Sequence, residues 1–244
     1  MCDIVWPTIA ILSLISTRCA NSIKIPKLHT LKGIDNGIYT TNGLEYVPVF
    51  RVVANNGSNL TLNFKNEPNV LFFLDPKDAI DLMTELSQSF PNGNAITKLR
   101  LCVSDMREWF DSVDPSRKHI KGAKCKLVPS SRQLLKTYDY MHPADANFVP
   151  LFYSTSIVCG NRGGESKPDI LVFFDFNDLI SQINTLKSPI EREYALSNIK
   201  VTSLVDLVLD NKLGNVTLVP SRKSLEFCKS ERYSDTKSST FLDD

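Results

Sequence analysis

Four blocks of sequence recur in the same order along this chain, and that recurrence limits the possible folds more than any other feature. Val47-Pro48-Val49-Phe50 returns as Val149-Pro150-Leu151-Phe152, a shift of 102 positions. Val70-Leu71-Phe72-Phe73-Leu74-Asp75 returns as Ile170-Leu171-Val172-Phe173-Phe174-Asp175, a shift of 100. Val103-Ser104-Asp105-Met106 matches Val201-Thr202-Ser203-Leu204, shifted by 98, and Leu127-Val128-Pro129-Ser130 is repeated unchanged as Leu218-Val219-Pro220-Ser221, shifted by 91. One shared tetrapeptide arises by chance. Four in register, with the shift drifting only through loop lengths, mark an internal duplication. A period near 100 residues is far longer than a solenoid unit, so the chain carries a duplicated module rather than an array. The expected organisation is two pseudosymmetric halves, 41–140 and 141–230.

Each block has a physical reading. Tyr46 to Val53 and Phe148 to Thr155 are apolar, β-branched and aromatic, and read as strands. Pro48 and Pro150 have no amide proton to give a ladder, which puts them at strand starts or sheet edges. Asn55-Asn56-Gly57-Ser58 is a turn signal, with Leu60 to Phe64 as the hairpin partner. The unbroken apolar runs 70–74 and 170–174 suit strands buried on both faces. Asp75 and Asp175 then stop the strands and open helices. The expected apolar stripes are Ala79, Ile80, Met83 and Leu86 in the first copy, and Phe176, Leu179, Ile180, Ile183 and Leu186 in the second. Short strands at 97–103 and 198–202 lead to second helices. Their core faces are Met106, Trp109, Phe110 and Val113 in one half, and Leu204, Leu207 and Val208 in the other. A third strand ends at Leu-Val-Pro-Ser, where Ser130 or Ser221 is placed to cap a last helix. Ser188-Pro189-Ile190-Glu191 is a capping box that starts a helix in the second half only. The fold class is therefore α+β (mixed α/β), each half a small mixed sheet with packed helices. Tyr140 to Ala144 is the expected hinge, and 231–244 a polar tail.

The amino terminus reads differently. Residues 4–16 are almost wholly apolar, too short to span a bilayer and of the right length for a signal peptide, with Thr17, Cys19 and Ala20 near a cleavage point. Residues 21–33 carry Lys24, Lys27, His29 and Lys32 and no acid, the composition of a transit segment. The expectation is a bipartite leader, with a signal peptide over 1–20 and a transit segment over 21–40; the alternative is a buried amino-terminal strand or helix.

The formal net charge of +1, with Lys and Arg scattered, argues against a nucleic-acid partner. The six cysteines include no CxxC pair, and no histidine lies close to a cysteine or to another histidine. No metal site is expected, and the thiols read as core. The repeated acids Asp75/Asp78 and Asp175/Asp178 have a spacing suited to acid–base work. They also fall where helices begin, and capping is the better reading. His29, His119 and His142 stand in polar loops without an acidic partner. Gly160-Asn161-Arg162-Gly163-Gly164 lacks the Lys-Ser/Thr that a phosphate cradle needs. No catalytic residue, cofactor site or cofactor is expected, so the chain reads as a non-enzyme. What remains is the apolar stripes, which read first as core; the functional alternative is two symmetric, partly open grooves that bind extended or helical apolar segments.

These residues resemble the Tic family of about twenty-two kilodaltons, a component of protein import at the inner envelope of chloroplasts. The resemblance rests on VPVF and VPLF, on the two Phe-rich strands that end in Asp, and on the twice-used LVPS, over roughly residues 40–230. It implies two pseudosymmetric halves, no catalysis, and a chaperone-like factor for incoming precursors. Its partners would be unfolded precursor proteins and other translocon subunits, with peripheral membrane association. The bipartite leader fits a complex plastid such as an apicoplast, on the intermembrane or peripheral inner-membrane side. By this resemblance Val49, Phe50, Leu151 and Phe152 lie on the repeated VP strands and, with Trp109 and Phe110, border a client-binding surface. The rival reading is a secreted or surface-associated interaction module. That reading calls for glycans on Asn56 or Asn215 and a Cys102–Cys125 or Cys159–Cys228 disulfide.

Overall fold

A computed structural model describes residues 13–15, 41–54, 56–64, 67–89, 99–113, 123–141, 148–159, 169–210 and 216–238. The first copy of the module runs β2 (Pro48–Ala54), β3 (Asn59–Phe64), β4 (Glu67–Phe73), α1 (Pro76–Ser89), β5 (Leu99–Asp105), α2 (Met106–Val113), β6 (Lys124–Val128) and α3 (Ser131–Thr137). The second runs β7 (Pro150–Cys159), β8 (Asp169–Phe173), α4 (Phe176–Asn184), α5 (Pro189–Ser197), β9 (Ile199–Ser203), α6 (Leu204–Asp210), β10 (Val216–Val219) and α7 (Arg222–Ser238). A three-residue strand β1 (Ser13–Ile15) pairs antiparallel with β3, and a 3₁₀ turn (Thr41–Tyr46) precedes β2. The rest of the proposed leader lies outside the described residues.

The two sheets share one topology. The first has the path β5-β2-β4-β6, with β3 added beside β2 and β4; the second has β9-β7-β8-β10. In both, the VP strand runs antiparallel to the Phe-rich strand, which runs parallel to the LVPS strand. The register agrees as well. Phe50 faces Phe73, which faces Val128; Phe152 faces Phe173, which faces Val219. The Leu74 N–H donates to the Val128 carbonyl at 3.1 Å, and the Phe174 N–H to the Val219 carbonyl at 3.1 Å. These partners are related by the same shifts of 102, 100 and 91 as the sequence blocks. The duplication is thus one of strand pairing as well as of sequence.

Local chemistry explains the junctions. Pro48 and Pro150 begin their strands, where a missing amide costs least. Gly57, at φ 82°, turns β2 into β3 in the left-handed region that glycine enters freely. Its N–H donates to the Ala54 carbonyl at 2.8 Å. Asp75 Oδ1 accepts from the Lys77 N–H at 2.9 Å, and Asp175 Oδ1 from the Asn177 N–H at 2.8 Å, so both repeated acids act as helix caps. Ser188 Oγ accepts from the Glu191 N–H at 3.3 Å and opens α5, as the capping box requires. Ser130 occupies the N-cap of α3 without a side-chain capping bond, and its backbone carbonyl accepts the Leu134 N–H at 3.0 Å.

The α1 stripe differs from expectation. Its buried members are Pro76, Ala79, Leu82 and Leu86, whereas Ile80 is 41% exposed. A step of three, then four, residues from Ala79 keeps one face on the sheet, and Ile80 lies off that arc. β3 is buried from Asn59 to Leu62 rather than alternating, because both its faces are covered: Asn59 bonds to Arg51 on one, and Leu60 and Leu62 gather with Leu82 of α1 on the other.

The chain forms two compact units, each with its own core. Val49–Val128 builds one, with β1; residues from Pro129 onward build the other, with the 3₁₀ turn. The border falls ahead of 140/141 because α3 packs on β7 and bonds to the start of α4. α7 continues to Ser238, into the segment read as a tail.

Candidate functional site

The six residues singled out for client binding divide sharply by burial. Val49, Phe50, Leu151 and Phe152 have no exposed surface at all. β2 and β7 are interior strands with partners on both edges, and α4 and α5 cover the face of β7 that carries Phe152. Phe152 sits in a cluster with Ile157, Leu171, Phe173, Leu179, Ile183 and Ala195, its ring edge-on to Phe176 at 5.5 Å. The VP strands are therefore core and do not border an open surface in this structure. Trp109 and Phe110, on α2, are half-buried, with ring centroids 6.5 Å apart in an edge-on pair.

α2 lies over an unusual sheet face. Asp105 Oδ1 caps it by accepting the Glu108 N–H at 2.9 Å. Beneath it sits Arg51, 5% exposed, at the centre of the first sheet. Its Nη1 donates to Asn59 Oδ1 at 2.8 Å, and its Nη2 lies 2.8 Å from Glu108 Oε1 and 3.9 Å from Cys102 Sγ. The guanidinium also stacks over the Phe72 ring, 5.2 Å from its centroid. Burial pushes the Cys125 thiol up, a hydrogen bond to Ser112 only partly opposing it, so this is not an activated thiolate. On the opposite face Val52, Leu60, Leu62, Leu71 and Phe73 gather with Leu82 of α1 around a small apolar pocket. Sequence reasoning missed this network. The available signal was a lone arginine inside the apolar run Val49–Ala54.

The acid pairs position helices. Asp175 caps α4 and also receives Arg132 Nη2 of α3 on Oδ2 at 2.6 Å, while the Phe176 N–H donates to Gln133 Oε1 at 3.0 Å. Asp178 Oδ2 accepts the Arg222 N–H at 2.8 Å and so draws the start of α7 to α4. Burial pushes the Asp178 carboxyl up, and that backbone hydrogen bond opposes the shift. Lys136 lies 4.8 Å from the centroid of the Phe176 ring, and Tyr140 packs on the same ring at 5.6 Å. Three helices meet at this point, and every carboxylate there has a structural partner.

Cys102, Cys125, Cys159 and Cys228 stand outside any disulfide. β5 and β6 flank β2 and β4, so Cys102 and Cys125 are three strand spacings apart. That is about 14 Å, too far for a disulfide's reach of about 6 Å between Cα atoms. Asn59 is buried against Arg51 and offers no glycan site; Asn56 is exposed on its turn. The three histidines, Asn215 and the 160–168 loop lie outside the described residues. Among the described residues no group of three or more His, Cys, Asp or Glu side chains could hold a metal, and no helix is long and apolar enough to cross a membrane.

No family model and no curated protein matches the sequence. Solved structures do match in fold. Tic22 from Plasmodium falciparum aligns with a TM-score of 0.65 at 22% identity, over 79% of this chain and 97% of that one. Tic22 of Anabaena, described with the words protein transport, aligns with a TM-score of 0.56 at 15% identity, over 78% of this chain and 95% of that one. The likeness covers nearly the whole of both structures, so the chain is Tic22-like in fold.

Proposed function

We propose that the chain is a plastid protein-import factor that binds apolar segments of precursor proteins without catalysis, nucleotide or metal. The observation that carries this reading is the fold likeness across both repeats to two Tic22 structures, one of them described as a protein of protein transport. The helix-cap and helix-docking roles of the repeated acids support it, since the most tempting catalytic constellation is accounted for structurally. Residues 1–20 and 21–40 serve as signal peptide and transit segment for an apicoplast or other complex plastid. The mature protein works at the intermembrane or peripheral inner-membrane face, beside other translocon subunits.

Client contact falls on apolar side chains that keep surface. These are Trp109 and Phe110 on α2, and Ile190 and Tyr194 on α5, which are 80% and 61% exposed. Phe152 packs beneath α5, in one cluster with Ala195. Suppression of aggregation of a thermally unfolded model substrate tests the reading. The full chain is expected to suppress it, and the Ile190→Ser/Tyr194→Ser variant to lose at least half of that capacity while its circular dichroism is unchanged. A folded wild-type chain that leaves the aggregation rate unaltered contradicts the proposal.

A further inference from the structure

The first sheet holds a strand that the duplication does not account for. β1 pairs antiparallel with the outer edge of β3, Ser13 opposite Thr61, Leu14 opposite Leu60 and Ile15 opposite Asn59. β4 takes the other edge of β3. The second sheet consists of β9, β7, β8 and β10 and has, among the described residues, no counterpart of β1. The duplicated architecture is therefore complete without this strand.

Little backbone pairing holds β1 in place. Three residues form few ladder bonds, and residues 16–47 separate β1 from the next strand, so ordering the connection costs entropy. The edge it covers is the opposite case. Asn59, Leu60 and Thr61 are 2%, 4% and 0% exposed. Loss of β1 would leave their outward N–H and C=O groups unpaired, and a row of such groups is a template for another strand. The two faces of β3 also select the replacement. Leu60 lines the small apolar pocket beside α1, whereas Asn59 lies on the other face, bonded to Arg51. Directly opposed residues share a face, so the residue that an added strand sets against Leu60 stands on the apolar side.

We propose that the outer edge of β3 is a strand-addition site for an extended segment with an apolar residue opposite Leu60. The chain fills this site with its own residues 13–15 until they are removed or displaced. Recognition is by main-chain pairing, with one apolar side-chain position for selection. That the natural occupant is a precursor segment, and that cleavage of the leader frees the edge, rests on the import reading above; the site itself does not.

Fluorescence anisotropy of a labelled peptide with the sequence of residues 11–17, titrated with the full chain, tests it. The unaltered protein is expected to bind weakly, since apparent affinity scales with the fraction of molecules whose edge is free. Leu14→Gly weakens β1, and Leu14→Pro/Ile15→Pro removes one amide of each alternating phase from its ladder. The two variants are expected to bind progressively tighter, the second by at least about tenfold. Leu14→Gly carries the comparison alone should the proline variant fail to fold. A peptide with aspartate at its centre is expected not to bind. N-methylation of alternate peptide amides is expected to abolish binding in one phase and spare it in the other, because one edge of an added strand faces β3. Equal affinity of the unaltered protein and the variants overturns the self-filled edge, and equal affinity of the two methylated peptides overturns strand addition. Neither readout uses suppression of aggregation, so failure here and failure of the import reading are separate results.

Discussion

Replacing Phe152 by alanine is expected to destabilise the protein by about 3–5 kcal/mol, the range for truncating a fully buried aromatic side chain. Phe152 is 0% exposed, opposes Phe173 across the strand pair, and fills the space between the second sheet and α4. Removing the ring leaves a cavity walled by Leu179 and Ile183, on a helix, and by Leu171 and Phe173, on a strand. Neither element collapses easily into it, so the lost transfer energy and the lost packing add. Urea unfolding followed by far-ultraviolet circular dichroism measures the effect as a shift of the midpoint at constant slope. The matched control is Ile190→Ala, at an 80% exposed position, with an expected change within about 0.5 kcal/mol. A loss below about 1 kcal/mol for Phe152→Ala would mean that the VP strand is not interior. It would return Phe152 to the surface role its sequence first suggested.

The second large effect is expected at Asp175. Its side chain is 5% exposed, caps α4 through one oxygen and holds Arg132 of α3 through the other. Asp175→Ala removes the cap, worth about 1 kcal/mol, and a charge-assisted bond worth about 1.5–3 kcal/mol. The expected total is about 2–4 kcal/mol, because Arg132 is 42% exposed and recovers solvation. Asp175→Asn keeps an oxygen for the Asn177 N–H and loses only the charge, so its cost should be roughly half. The same urea series reads both. Equal losses for Ala and Asn would place all of the stabilisation in the ion pair and none in the cap.

Most of the fold was legible in the sequence because the residues that carry it report their environment twice. The block shifts 102, 100 and 91 fixed which strands correspond, and the observed cross-strand partners keep those shifts. Helix starts were equally readable, since Asp75, Asp175 and Ser188 have a short-range job that leaves a short-range pattern. The functional surface was not legible. An apolar strand of high β propensity looks the same whether it lines a groove or fills a core. Only the layers above it decide, and those are set by contacts distant in sequence. Val49, Phe50, Leu151 and Phe152 lie on strands of that kind, and all four are buried. The Arg51 network was hidden by the same logic. Its partners Asn59, Cys102 and Glu108 come from three other elements, and no local spacing links them.

The central claim is that one module occurs twice with the same strand pairing. Backbone nuclear Overhauser contacts across the two antiparallel pairs test it most directly, in the isotope-labelled full chain. Cross-strand contacts are predicted between Phe50 and Phe73 and between Phe152 and Phe173. A one-residue slip in either repeat would turn every side chain of that strand to the opposite face. Contacts displaced by one position in one repeat, or present in only one of them, would contradict the account.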